Sequence, residues 1–370
     1  MSTAASCPLL RRMAILTGGG DCPGLNAVIR AVARDAFNCG LDVYGIEDGY
    51  LGLIENRIRR LHQNDLTGIL SRGGTILGSN NKSNPSQFAV GTNPDGSIQY
   101  ANVTKQCLTH LFDQRIEAMV VIGGDGTQTS AAMFAREGIR VVGVPKTIDN
   151  DIVGTEITFG FQTAVATATD ALDKVRTTAD SHHRVMFVEV MGRNAGWIAL
   201  HSGVAGGADV ILLPEIPFTL EGICEKIKER KRLGKMSSLV CVSEGAKPVG
   251  GKQVIARMDP TSPDPVRLGG ISRLLAEKVE EMTGIESRYV VLGHTQRGGP
   301  PVAADRVLST LLGNHAMTLL REGKMGRLVA VQGGRLTDID LEEPAGKQRL
   351  VTPDEALIGA ARAVGTSFGD

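Results

Sequence analysis

The sequence has few aromatic residues, no excess charge of either sign, no paired cysteines and no long apolar run. Aromatics make up 4% of 370 residues while glycines number 46. That balance suits an α/β protein with many tight turns and a core of Val, Ile, Leu and Ala. The 40 basic residues offset the 40 acidic ones, and no Lys/Arg block stands out, so neither nucleic acid nor an anionic membrane is an expected partner. The six cysteines (Cys7, Cys22, Cys39, Cys107, Cys224, Cys241) lie far apart without a Cys-x-x-Cys pair. This argues against a zinc site or a disulfide frame and fits free thiols in a reducing, cytoplasmic setting. No apolar run reaches the ~18 residues of a membrane helix. Met1 to Arg12 places its arginines after its short apolar stretch, the wrong order for a secretory signal, and reads as a loose tail. A chain of this length favours two lobes over one core.

The stretch that organises the rest is Val120-Val121-Ile122-Gly123-Gly124-Asp125-Gly126-Thr127. Its apolar residues make a buried strand, and the glycines after it let backbone N–H groups approach a phosphate chain closely. A carboxylate among them cannot hold an anion, but it can hold a Mg²⁺ that bridges phosphate oxygens. The competing reading is a strand-to-helix turn in which Asp125 only caps the helix after it. A second strand, Met13 to Thr17, runs into Gly18-Gly19-Gly20-Asp21-Cys22-Pro23-Gly24 and a helical pattern from Leu25 to about Phe37. Such a loop brings backbone donors and a helix N-terminus to one spot, although a plain βα turn would look the same.

Further strand signals fall at Asp42 to Ile46, Ala118 to Ile122, Ile139 to Val144, Val185 to Val190, Val210 to Leu213, Leu239 to Val242, Tyr289 to Leu292 and Leu328 to Val331, with helical stretches between most of them. The alternation predicts an α/β fold of mainly parallel, doubly wound sheets, which bind ligands at the carboxyl ends of their strands. Two regions break the rhythm. Ser71 to Tyr100 is polar and turn-rich, and Lys247 to Leu268 carries Pro248, Pro260, Pro263 and Pro265. The first has the length of a functional loop, the second of a surface excursion.

The loop Pro145-Lys146-Thr147-Ile148-Asp149-Asn150-Asp151 brings two carboxylates to the sheet edge that carries Asp125. One can accept a hydroxyl proton during phosphoryl transfer while the other orients it or serves the metal through water, unless the segment is only an Asn/Asp turn. Cationic groups recur at strand ends: Arg184, Arg193, Arg288, and His294 with Arg297. Several arginines converging would grip a phosphate monoester. Glu244 could accept hydrogen bonds from sugar hydroxyls.

Together the two glycine loops, Thr147-Ile148-Asp149-Asn150-Asp151, Met191-Gly192-Arg193 and Gly293-His294-Thr295-Gln296-Arg297-Gly298-Gly299 resemble the phosphofructokinase family, in its order and approximate spacing, from Ile15 to about Gly334. The resemblance implies two doubly wound Rossmann-like lobes around an active-site cleft. In that division residues 1–160 plus 296–346 form the phosphoryl-donor lobe, and 161–295 plus 347–370 the sugar-phosphate lobe. It further implies ATP-dependent phosphorylation of the 1-hydroxyl of fructose 6-phosphate in glycolysis, with Mg²⁺. Asp149 looks like the base, Thr147 a contact of the transferring group and Arg193 its charge stabiliser. Ile148, Met191, Gly192 and Glu244 match sugar positions, and His294 and Arg297 match 6-phosphate ligands. Arg184 and Arg288 match ligands that the family supplies from a neighbouring subunit, which implies a homodimer or homotetramer with shared active sites. Gly18, Gly19, Gly20, Lys82, Gly124, Asp125, Gly126 and Thr127 fall to the donor, with Asp125 on the metal.

Two positions separate phosphoryl donors. Lys146 stands where pyrophosphate-dependent members have lysine, and Gly126 where they have aspartate, so the chain resembles the mixed-substrate branch. Lys82 follows Gly78-Ser79-Asn80-Asn81, where bacterial ATP enzymes carry an arginine, and either replaces that contact or leaves it lost. The nearest rival reading is the pyrophosphate-dependent enzyme. An oxidoreductase would want a Gly-x-Gly-x-x-Gly loop, which Asp21 and Pro23 interrupt. A sugar-phosphate sensor could discard the base and the metal carboxylate, and both are present.

Overall fold

A computed structural model describes residues 10–258 and 265–370. The tail through residue 9 with Cys7, and Pro260 and Pro263 of the second excursion, lie outside them. Strand Arg12–Thr17 runs into helix Leu25–Asn38, strand Ala118–Gly123 into helix Asp125–Arg136, and strand Val185–Val190 into helix Trp197–Ala205. The larger sheet has the order 335–340, 327–332, 140–147, 118–123, 12–17, 42–46, 58–60, with the short strand Phe159–Gly160 beside 140–147. Its inner pairs are parallel. The smaller sheet, 210–212, 238–243, 185–190, 287–291, is parallel throughout. The expected doubly wound α/β architecture is therefore present.

Both outer pairs of the larger sheet are antiparallel, which the strand signals alone do not predict. The outermost strand at one edge, Arg335–Asp340, follows its neighbour after only Gly333 and Gly334. A two-residue link closes an antiparallel hairpin but is far too short for a parallel crossover. The two excursions also hold antiparallel ribbons, Phe88–Thr92 with Ile98–Ala101 and Ile255–Met258 with Val266–Leu268. Their strands are largely exposed, so no buried face imposes the alternation by which a strand is recognised.

Side-chain alternation places the core. Met13 and Ile15 face one buried cluster, and Ala14 and Leu16 the other side of the same strand. The first cluster continues without a break to Val188 and Val190 of the smaller sheet, so the two sheets share apolar packing. Each also has an outer cluster of its own. Helix Ala303–Arg321 lies on helix Leu25–Asn38, where Asp35 takes hydrogen bonds from Asn314 and Arg321. Among the described residues no helix is long and apolar enough to cross a membrane, and five cysteines are free thiols.

The carboxyl ends of three adjacent strands carry the motifs. Thr17 pairs in register with Ile122, and Gly123 with Pro145. The first glycine loop, the second glycine loop and the Thr147–Asp151 turn therefore emerge side by side, at the point where the strand order reverses.

Candidate active site

A cavity of about 320 Å³ is lined by Gly19, Gly20, Gly124, Asp125, Gly126 and Thr127, by Lys146, Thr147, Asp149 and Asp151, and by Arg193 and Arg297 of the smaller sheet. Motifs spread over nearly 280 positions thus meet in one place. Thr127 explains two of the glycines. A Cβ at Gly18 would lie 2.6 Å from its Cγ2, and one at Gly123 2.3 Å from its Cβ, so any larger residue would push the two loops apart. At Gly126 a Cβ would meet nothing within 4 Å, and the first turn of helix Asp125–Arg136 opens there onto free space.

The carboxylates differ in surroundings. Asp149 accepts no hydrogen bond at its buried Oδ1, and burial, followed by the charge of Asp151, raises its carboxyl from 3.8 to about 6. Its backbone N–H donates to Thr147 Oγ1 at 3.0 Å, which fixes the turn. The intervening Asn150 is left-handed, with φ of 55°, and its side chain ties that turn to Thr158 and Glu156. Asp151 and Asp125 are also pushed up, burial being the main cause in each. Asp125 Oδ1 accepts from the Gly346 N–H at 3.3 Å.

Lys146 is 4% exposed, and its Nζ donates to the Gly20 carbonyl. Burial lowers its pKa. The ammonium therefore sits beneath the first glycine loop. Arg297 also touches that loop, donating to the Asp21 carbonyl at 3.1 Å.

On the smaller sheet, Arg193 follows strand Val185–Val190 in a left-handed conformation, φ 53°, and its backbone N–H donates to Glu244 Oε1 at 3.2 Å. Burial raises the Glu244 carboxyl to about 7. Gly192 has φ of 136°, and a Cβ there would lie 2.5 Å from the Ala195 carbonyl oxygen. Met191 N–H donates to Gln296 at 3.3 Å, which links this loop to the turn bearing His294. Met191, Gly192, Glu244 and His294 flank the cavity without lining it. Ile148 is fully buried, so only its backbone is available to a ligand.

Arg184 and Arg288 stand apart. They lie at the amino ends of strands whose carboxyl ends carry Arg193 and His294, a separation on the order of 20 Å for a six-residue strand. Arg184 pairs with Glu286 at 2.8 Å, and Arg288 with Glu280 at 3.3 Å and with Glu286. Lys82 is exposed and outside the lining, whereas Asn80, Asn81, Ser83 and Asn84 are part of it. Tyr50 and Ser130 line it as well. Tyr50, whose hydroxyl donates to the Thr127 carbonyl at 3.0 Å, belongs to no motif. Its position just beyond strand Asp42–Ile46, the neighbour of Arg12–Thr17, is the signal that would have found it.

Comparison with known proteins agrees with this geometry. Residues 12–320 match the family model described as Phosphofructokinase. An ATP-dependent 6-phosphofructokinase 2 of Clostridium perfringens is 50% identical over 98% of this chain and 99% of its own. A pyrophosphate–fructose 6-phosphate 1-phosphotransferase of Amycolatopsis methanolica is 46% identical over 93% of this chain and 97% of its own. Among solved structures, phosphofructokinase from Saccharomyces cerevisiae superposes with a TM-score of 0.77 at 29% identity, over 90% of this chain and 45% of that longer one. With the family model spanning most of its length and the motifs gathered at one cavity, the chain belongs to the phosphofructokinase family.

Proposed function

We propose that the chain is a 6-phosphofructokinase that transfers the γ-phosphoryl group of ATP to the 1-hydroxyl of D-fructose 6-phosphate, giving fructose 1,6-bisphosphate and ADP in glycolysis. The observation that carries the reading is Asp149: a buried carboxylate with an unpartnered oxygen, raised to about 6, between the glycine loops and the Arg193 loop. At neutral pH it is largely ionised yet basic enough to take the hydroxyl proton. The sugar oxygen then forms its bond to the γ-phosphorus as the bond to the β–γ bridging oxygen breaks, and ADP leaves. Arg193 would stabilise the charge on the transferring group, and Thr147 would contact it. Glu244, Met191, Gly192 and the Ile148 backbone would hold the sugar, with His294 and Arg297 on its 6-phosphate. Arg184 and Arg288, at the far strand ends, would serve the site of a second copy, in a homodimer or homotetramer working in the cytoplasm. The glycine loops, with Asn81 and Asn84 in the place expected of Lys82, would hold the donor between the lobes bounded at residues 160, 296 and 346.

Among the described residues no cluster of three or more His, Cys, Asp or Glu is placed to hold a metal. That fits Mg²⁺ arriving with a nucleotide, since it binds through one or two carboxylates plus phosphate oxygens and water. Asp125, whose Oδ1 accepts a long hydrogen bond from the Gly346 N–H and which lines the cavity, would hold it. When bound, Mg²⁺ would supply charge neutralisation to the donor phosphates.

A second reading, pyrophosphate as donor, is favoured by Lys146 under the donor loop. The open space at Gly126 favours ATP instead, because an α-phosphate needs that volume. Assays of purified protein with each donor, at saturating fructose 6-phosphate and Mg²⁺, decide between them. We expect substantial turnover with ATP and little with pyrophosphate; faster turnover on pyrophosphate would overturn the assignment.

A further inference from the structure

Residues 346–351 lie beyond the span matched by the family model, yet they cross both loops that carry the proposed chemistry. Gly346 N–H reaches Asp125. The Gln348 side-chain amide donates to Asp151 Oδ2 at 3.1 Å and accepts from Asn194 Nδ2 at 3.1 Å. It thereby joins the Asp149–Asp151 turn of the larger sheet to the Arg193–Asn194 turn of the smaller one. Arg349 N–H donates to the Asp151 carbonyl at 2.7 Å, and its guanidinium to the Asn150 carbonyl at 3.1 Å. That guanidinium stacks on Trp197 at 4.0 Å, and Trp197 Nε1 donates to the Arg349 carbonyl at 2.8 Å. Two residues on, Val351 N–H shares Glu215 Oε1 with the Gly196 N–H, each at 2.9 Å. The segment is therefore anchored on the smaller sheet's side by Trp197 and Glu215, and it holds the larger sheet's base turn.

The turn it holds needs a support. Asn150 sits at φ of 55°, a left-handed conformation that asparagine tolerates better than other non-glycine residues, so the turn is held by the contacts around it rather than by local strain. Three of those contacts come from within the loop, through Thr158 and Glu156; the carbonyl of Asn150 is taken by Arg349. We propose that residues 346–351 form a positioning strap, in which Arg349 and Gln348 hold the Asn150 turn, and so the Asp149 carboxylate, in register with the Arg193 loop. Neither side chain needs to touch substrate. The proposal rests on the reading of Asp149 as the base, but it is tested separately. Asp149→Ser can abolish turnover whether or not the strap matters, and an active Asp149→Ser protein would refute that reading whatever the strap variants do.

The decisive variants are Arg349→Ala, Arg349→Lys and Gln348→Ala. Misplacement of a reacting group by a fraction of an ångström to 1 Å is expected to lower kcat at least about tenfold while KM for either substrate stays within about twofold. The acid limb of kcat should also move to lower pH, because a loosened turn admits water to Asp149, whose raised pKa comes first from burial. A loss of global stability alone would not move that limb. Lysine cannot reproduce the planar stack on Trp197 together with the carbonyl bond, so Arg349→Lys should rescue little. Trp197 is the chain's one tryptophan, and its emission should change in Arg349→Ala and stay as wild type in Gln348→Ala. If Arg349→Ala does not fold, Gln348→Ala decides, since its side chain is exposed and its removal opens no cavity in the core. A folded Arg349→Ala, or Gln348→Ala in its place, with wild-type kcat and an unmoved acid limb would overturn the proposal.

Discussion

Asp149 has to be ionised to accept a proton and buried to be reached by a desolvated substrate, and these demands oppose each other. Its carboxyl value of about 6 is the compromise. Turnover should therefore decline along an acid limb near that value, and Asp149→Ser should lose ~10²–10⁴-fold in kcat while fructose 6-phosphate still binds; near-normal turnover would remove Asp149 from the mechanism. For stability the sign is the reverse of a salt-bridged carboxylate. A folded value raised above the ordinary 3.8 gives stability that is full below that value and is lost as pH rises through about 6. Asp149→Asn should therefore melt higher than wild type at about pH 8, with the gap narrowing below about pH 6 and closing only as pH falls toward about 4. At this scale the motif residues were legible because glycine, carboxylate and arginine each have a short list of uses at a strand end. Gln348 and Arg349 were not, since nothing in their own neighbourhood marks them and only the fold brings them to Asp151.

Helix Asp125–Arg136 starts at the mouth of the cavity, and its first turn shows what an element adds beyond its residues. Gly126 is a helical residue with open space around it, so its backbone does not require glycine. Aspartate there fits the fold on both counts: it improves on glycine's helix propensity and puts a negative charge near the positive end of the helix dipole. We expect Gly126→Asp to melt at or above the wild-type temperature while kcat/KM with ATP falls by at least about 100-fold, a side chain and charge now occupying the α-phosphate's place. A variant that keeps ATP turnover would show that position 126 does not select the donor. Elements with a buried face are legible nearly to the residue: Asp42–Ile46 and Val185–Val190 have the expected ends. The ribbons in both excursions give no strand signal because their strands are short and largely exposed. Strand Arg140–Thr147 runs past Pro145 to carry Lys146 and Thr147 into the site, an extension that proline hid.

At the scale of the whole molecule, the placement of Arg184 and Arg288 is hard to explain within one copy. Both sit at the end of the smaller sheet opposite the cavity, and their carboxylate partners are partly exposed. Exposed pairs such as those of Arg288 contribute only ~0–1 kcal/mol, so that arginine can exchange its partners for a phosphate at little cost. If these residues complete the site of a second copy, Arg288→Ala leaves its own chain's base intact and cripples its neighbour's sugar-phosphate grip. Asp149→Ser does the opposite. A hybrid of the two then contains one site with a wild-type base and a wild-type Arg288, beside one site lacking both. Random exchange at equal concentrations makes half the dimers hybrid, so about one quarter of all sites should be whole. Assayed at low fructose 6-phosphate, where each parent protein is nearly silent, the mixture should regain roughly that fraction of wild-type activity as subunits exchange. Exchange verified by mass-tagged subunits with no gain over the sum of the parents would place Arg288 outside the neighbouring active site.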